Sequence, residues 1–299
     1  MKGLFTLFLL LGAYAMWIWP RSADIALGHE NFAVTADGAN IAFYKSGPPS
    51  GSTVLLLSSL GRSVSDFNHL IASLNTAGYY TIAVDVRGVG NSTFAPEQEH
   101  MTLFDLVHDI ELTLHQAVVE KDKSIAVIGH AFGNRLARAF ATMNADRVNS
   151  IVLIAAGGAQ KLKAEQRQVK ALRNSFNWTL FPPKRVTEIK YAFFADNNQV
   201  PSSWKRGWYS KSAKLQVAAV KATPLSSWRS GGGVAPILVI QASMDRIAPA
   251  ELTSTKLLAD YPERVTVVTI NQAGHALLPE QPKALEHSII HFLNLNRKM

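Results

Sequence analysis

The 299-residue sequence contains no cysteine. Disulfides and thiolate metal sites are therefore excluded, and the absence leaves the compartment open, since exported proteins also fold without disulfides. No internal repeat is visible. No nucleic-acid-binding fold can be read from the chain either, which argues against a nucleic-acid partner. Acid is scarce in one stretch: residues 160–233 hold fourteen Lys or Arg against Glu165, Glu188 and Asp196, a net +11. The remainder then carries −3 of the total +8. Tryptophan is just as unevenly placed. Trp17 and Trp19 lie near the start, and Trp178, Trp204, Trp208 and Trp228 lie in the basic stretch.

What is present suits one domain, or one domain with an insertion: 47% of the residues are hydrophobic, enough for a large core. Residues 1–24 stand apart as a signal peptide or N-terminal membrane anchor. Lys2 precedes an uncharged run from Gly3 to Trp19, and Pro20-Arg21 ends it. Cleavage would use Ala13-Tyr14-Ala15, whereas an anchor would use the whole run, near the lower limit of about 17–25 residues for a membrane helix. Trp17 and Trp19 would then sit at the interface. Either form places the domain outside the cytoplasmic membrane, in a periplasm or anchored and facing outward.

Beyond a short linker, strands and helices alternate. Residues 31–36 and 40–45 read as strands joined at Asp37-Gly38. Val54–Leu57, Thr81–Val84, Ile125–Ile128, Ile151–Ile154, Ile237–Ile240 and Val265–Val268 are short apolar runs of the kind that a parallel sheet buries on both faces. Between them, Phe67, Leu70, Ile71 and Leu74, and then Leu103, Leu106, Val107, Ile110, Leu114 and Val118, have helical spacing. Further helices are expected from Phe132, near 250–259 and near 282–295. The fold class is α/β, with a mostly parallel central sheet and helices on both faces. Residues 25–159 and 234–299 form its core. Residues 160–233 interrupt the pattern and read as an inserted helical cap over the carboxyl ends of the strands, where open α/β sheets bind ligands.

Three segments carry chemistry. Gly129-His130-Ala131-Phe132-Gly133 lies between a strand and a helix and matches the nucleophile elbow G-x-S-x-G except at its serine. Its glycines allow strand and helix to approach closely. Asp245 lies in Gln241-Ala242-Ser243-Met244-Asp245-Arg246, and His275 in Gly274-His275-Ala276, followed by Glu280-Gln281-Pro282. Taken singly, Asp245 would be a turn former and His275 one surface histidine among nine. With Asp85-Val86-Arg87-Gly88-Val89-Gly90-Asn91-Ser92 after an earlier strand, however, they occur together and in order.

From about residue 31 onward the chain resembles the α/β-hydrolases. The resemblance implies Asp245 as the triad acid, His275 as the general base and Ala131 at the nucleophile position. It also implies an oxyanion hole from the backbone N–H groups of Phe132 and Leu60, although Ser58-Ser59 stand where the family often has His-Gly. No metal or organic cofactor is implied. An alanine methyl offers no lone pair, so no acyl-enzyme can form at 131. The aspartate that haloalkane and epoxide chemistry uses at this elbow is missing as well.

The expected activity is that of an acyl hydrolase acting on a carboxylic ester or related bond, inactive or nearly so as written. The alternative is a pseudohydrolase that holds a ligand, or an anionic membrane surface, without turnover. A third possibility, another nucleophile, rests on His130 alone. The expected partner is a small acyl or ester-type substrate, anionic or lipid-like. The basic stretch with its indoles would suit anionic headgroups or the attraction of an anionic substrate. Alternatively, its lysines are a solvated face and its tryptophans pack inward.

Overall fold

The computed structural model describes residues 23–98, 100–117, 124–157 and 165–297. All but the last two residues of the expected leader lie outside this set, as does Val118. In chain order the elements are β1 (His29–Val34), β2 (Asn40–Ser46), β3 (Ser52–Leu57), α1 (Asn68–Thr76), β4 (Tyr79–Val84), α2 (Leu103–Gln116), β5 (Ile125–His130), α3 (Gly133–Met143) and β6 (Val148–Ile154). Three further helices follow, α4 (Gln166–Ser175), α5 (Pro182–Phe193) and α6 (Ser210–Ala222). The chain closes with β7 (Ile237–Ala242), α7 (Ser254–Asp260), β8 (Val265–Ile270), α8 (Leu277–Glu280) and α9 (Pro282–Leu295).

The strands form one eight-stranded sheet in the order β1-β2-β4-β3-β5-β6-β7-β8. Pairing is antiparallel for β1–β2 and β2–β4, and parallel from β4 to β8. The period-2 alternation of a strand divides each apolar run between two cores. Leu55, Leu57, Val127, Leu153 and Val239 pack with the apolar stripe of α2 and with Leu136 and Phe140 of α3. Val54, Leu56, Ile128, Ile154 and Ile240 face the other way, onto Leu70, Ile71 and Leu74 of α1 and Leu285, Ile289 and Phe292 of α9. Each such side chain, fully buried, contributes about 1.5–3 kcal/mol.

Between β6 and β7, described residues 165–233 form α4, α5, α6 and short 3-10 turns, with no strand among them. This segment has its own small core of Ala171, Ile189, Phe193, Phe194, Trp204 and Trp208, which reaches Ala276 beside the histidine loop. Of the two readings of the tryptophans, inward packing holds for Trp204, Trp208 and Trp228, which are buried rather than displayed on the basic surface. The reason is local. Trp204 and Trp208 both face the Arg62 guanidinium, at 4.6 and 4.9 Å, and Trp228 lies under Arg138 at 4.8 Å. Of the four, Trp178 alone is exposed, at 59%.

Candidate active site

The turn after β5 is built by steric necessity. A β-carbon on Gly129 would lie 2.3 Å from the Gly133 carbonyl oxygen, and one on Gly133 would lie 2.0 Å from that of Leu57. Helix α3 therefore starts hard against β3 and β5. The connecting residue, Ala131, is driven to φ +49°, a left-handed backbone that costs a non-glycine residue of order 1–3 kcal/mol. Its N–H donates to the Ile154 carbonyl at 3.0 Å, and its own carbonyl accepts from the Asn134 N–H at 3.2 Å. The Asn134 side-chain amide donates to the same carbonyl. Asn134 is fully buried three residues beyond the elbow, and its i+3 placement was the only sign of it in the sequence.

Asp245 follows β7 and is buried. Its Oδ1 accepts the backbone N–H groups of Ile247 at 2.9 Å and Ala248 at 2.8 Å. His275 Nδ1 lies 2.9 Å from Oδ2 and 3.1 Å from Oδ1. An ionised carboxylate can only accept, so Nδ1 carries a proton, which in the neutral tautomer leaves the lone pair on Nε2. Burial pushes the Asp245 carboxyl upward, but His275 and the two backbone donors outweigh it, and the net direction is down. Asp245 and His275, 30 residues apart in sequence, are therefore brought together as an ordered, buried pair. Ala131 is buried but for 9% of its surface.

The histidine loop is tied down from three sides. The Gly274 N–H donates to Glu280 Oε2 at 2.7 Å, and Glu280 Oε1 accepts from the Ala195 N–H at 2.8 Å and the Asn198 amide at 2.7 Å. The Ala276 N–H donates to the Phe193 carbonyl at 2.8 Å. From below, His130 Nε2–H donates to the His275 carbonyl at 3.0 Å. His130 is fully buried under the loop and is not available as a nucleophile.

Burial, and secondarily the neighbouring His275, push the His130 imidazole down to about 3. A free imidazole in the unfolded chain titrates near 6.5. Between these values the unfolded chain binds a proton that the folded chain refuses, so this group's contribution to stability falls as pH drops from 6.5 towards 3. Asp85, raised to about 7 by burial, acts in the opposite sense from about pH 4 upward. The His130 contribution therefore shows only as a difference. In urea titrations from pH 7 to 4, the stability gap between the native chain and His130→Asn is expected to shrink on the acid side. The slope should approach about 1.4 kcal/mol per pH unit. A gap independent of pH would contradict the assignment.

Phe132 takes up helical angles (φ −59°, ψ −41°) at the start of α3. Neither its N–H nor that of the half-buried Leu60 has a hydrogen-bond acceptor among the described residues. The loop that carries Ser58-Ser59 and Leu60 is held by hydrogen bonds on both sides. Ser58 Oγ donates to the Arg62 carbonyl at 2.6 Å, and the Gly61 N–H donates to Gln216 Oε1 at 2.8 Å. The Tyr209 N–H donates to the Gly61 carbonyl at 2.9 Å. Arg62 binds Asp66 through two hydrogen bonds, of 2.9 and 2.6 Å, and the Arg206 carbonyl at 2.6 Å. Gln216, Tyr209 and Arg62 were not recognised from the sequence, because their partners lie some 140–155 residues away.

The Asp85–Ser92 turn is a structural support. Asp85 accepts the Val64 N–H at 2.8 Å and the Ser63 hydroxyl at 3.2 Å, which fixes the end of the Leu60 loop. Arg87 pairs with Asp109 through bonds of 2.7 and 2.9 Å. Among the described residues, no group of three or more His, Asp or Glu side chains is placed to hold a metal ion.

A family model described as alpha/beta hydrolase fold matches residues 52–282. Among curated proteins, the chain is 25% identical over 255 residues to a Variovorax paradoxus protein assigned as carbamate hydrolase RutD, covering 83% of this chain and 93% of that one. It is also 23% identical over 265 residues to a 2-hydroxy-6-oxononadienedioate/2-hydroxy-6-oxononatrienedioate hydrolase of Cupriavidus pinatubonensis, covering 81% and 86%. Among solved structures, a membrane phospholipase A described as a bacterial virulence factor superposes over 100% of both chains. Its TM-score is 0.71 and its identity 20%, a likeness of fold. The sheet order, the elbow between β5 and α3 and the match over most of the chain together show that this protein belongs to the alpha/beta hydrolase fold family.

Proposed function

We propose that the site is that of an acyl hydrolase of the Ser-His-Asp type, acting on a carboxylic ester or related bond, with the nucleophile withheld at Ala131. The observation that carries this reading is the His275–Asp245 pair. Nδ1 is held at 2.9 Å and the acid is fixed by two backbone donors, an arrangement that orients Nε2 as a proton acceptor for a nucleophile. The free N–H groups of Phe132 and Leu60 would stabilise the oxyanion. Carbamates and phospholipids, the compounds in two of the relatives' names, both offer a carbonyl to such a site.

With a methyl at 131 no acyl-enzyme forms, and the chain retains a ligand or turns it over slowly by water attack. Helices α4–α6 would cover the site as a cap. The test is a fluorophosphonate probe applied to the chain as it stands and to Ala131→Ser. Labelling of the variant alone supports the reading, and labelling of neither in folded protein defeats it.

A membrane-facing reading is favoured by one patch. Trp178 and Phe181, exposed at 59% and 62%, lie between α4 and α5 with Arg173 and Lys184 beside them in sequence. Indole and phenyl rings flanked by cations suit an anionic interface, and an exported, membrane-proximal location would bring the two together. Full chain bearing Trp178→Ala and Phe181→Ala is expected to partition about tenfold less onto vesicles containing phosphatidylglycerol, and raised salt should reduce binding of the native chain. Equal binding to neutral and anionic vesicles would remove the electrostatic part of this reading.

A further inference from the structure

Behind the elbow lies a group of arginines with too little acid to balance them. Arg138 of α3 is fully buried, yet no carboxylate pairs with it among the described residues. Its guanidinium instead donates to neutral oxygens: the Asn134 carbonyl at 3.2 Å, Asn134 Oδ1 at 2.7 Å, the Gly157 carbonyl at 2.5 Å and the Arg229 carbonyl at 3.4 Å. Arg135, one turn earlier, has its Nη2 close by, 3.6 Å from where a β-carbon on the same Gly157 would lie. It too has no carboxylate partner among the described residues. Arg229 completes the group, and its acid, Asp260, is shared with Lys256 at 2.6 Å.

A second, independent feature is a set of buried donors without acceptors. Arg135 Nε, Trp228 Nε1 and Arg229 Nε are all inaccessible to solvent and make no hydrogen bond. Trp228 is 1% exposed and lies directly under Arg138. A buried N–H without an acceptor costs about 1–3 kcal/mol, and a buried cation without a counter-charge costs more. Water could take up single donors but not the excess charge. An oxyanion would supply both the missing acceptors and the missing negative charge, and arginine and indole N–H groups suit its planar or tetrahedral oxygens.

We propose that Arg135, Arg138, Trp228 and Arg229 form a binding site for a small oxyanion, a phosphate or a carboxylate, set between α3, the end of β6 and the segment before β7. The site is wired to the elbow. Arg138 holds Asn134 Oδ1, and Asn134 donates twice to the Ala131 carbonyl, through its backbone N–H and its side-chain amide. Filling the site would therefore stiffen the start of α3, which carries the Phe132 N–H. The proposal does not depend on the chemistry assigned to position 131.

The experiment is calorimetric titration and thermal unfolding of the full chain with inorganic phosphate, glycerol phosphate and succinate, with chloride at equal ionic strength as reference. A saturable rise in Tm of about 5 °C at a hundredfold excess over Kd is expected with at least one of the three anions. Equal affinity for inorganic and glycerol phosphate would identify a free ion as sufficient ligand, and tighter binding of glycerol phosphate would identify a headgroup. Tightest binding of succinate would identify a carboxylate.

Arg135→Gln, at a partly exposed position, should weaken binding about tenfold or more. Trp228→Phe, which keeps the ring on Arg138 but removes Nε1–H, should weaken it about fivefold. Lys221→Gln, exposed on α6, should leave it unchanged. The proposal is overturned if no anion stabilises the chain beyond chloride, or if Arg135→Gln and Trp228→Phe bind as the native chain does.

Discussion

Ala131→Ser is expected to turn a chain that is inert to fluorophosphonates into one that labels within minutes. The substitution adds one oxygen at a position where the backbone already accepts a β-carbon at φ +49°, so no new strain accompanies it. On the proposed reading, the groups that would activate a serine there are His275, whose Nδ1 is held by Asp245, Asp245 itself, which accepts two backbone N–H groups besides the histidine, and the Phe132 and Leu60 N–H groups as donors for the oxyanion. Loss of the nucleophile costs triad hydrolases about 10⁶-fold in turnover, and its return should recover a large share of that. Two further variants in the Ala131→Ser background separate an activated serine from an accidental one. His275→Ala should abolish labelling. Asp245→Asn should slow it by about 10⁴-fold, because the amide favours the wrong imidazole tautomer. Labelling that survives His275→Ala would mean that the serine reacts without the dyad, and the site as described would then be wrong.

The site was legible in the sequence wherever a residue's role is fixed by its neighbours in the chain. Gly129 and Gly133 announce the elbow because strand and helix must touch there. The acid and histidine loops were placed by their resemblance to the α/β-hydrolases and by their order along the chain, since neither Asp245 nor His275 points to a role when taken singly. The continuous apolar runs announced strands covered on both faces. What could not be read is what forms across the fold. Arg62 precedes Trp204 and Trp208 by more than 140 residues, so in one dimension nothing decides between tryptophans on display and tryptophans packed inward on a cation. Composition likewise gave the charge of the inserted segment but not the cluster behind the elbow, which joins Arg135 and Arg138 of α3 to Trp228 and Arg229. Hydrogen bonds such as Gln216 to Gly61 carry no sequence signature at all.

The elbow's geometry also sets how little the packing there can give. Gly133→Ala is expected to destabilise the fold by at least about 3 kcal/mol, measured as a shift of the urea midpoint. The added β-carbon would meet the Leu57 carbonyl oxygen at 2.0 Å, the Leu57 carbon at 2.6 Å and the Ser58 oxygen at 2.7 Å. All three are backbone atoms, of a central strand and the residue following it, so no side chain can rotate away and the helix itself must move. Gly78→Ala is the matching control. Gly78 sits at φ +82° after α1, and a β-carbon there would have nothing within 4 Å, so its substitution costs only the left-handed strain, about 1–2 kcal/mol. The two variants separate steric contact from backbone conformation. In the Ala131→Ser background Gly133→Ala should also lose fluorophosphonate labelling under conditions where it remains folded, because lifting α3 off β3 carries the Phe132 N–H away from the Leu60 loop. Gly78→Ala should label normally. Equal destabilisation by the two substitutions, or undiminished labelling of folded Gly133→Ala, would show that α3 does not depend on the contact with Leu57.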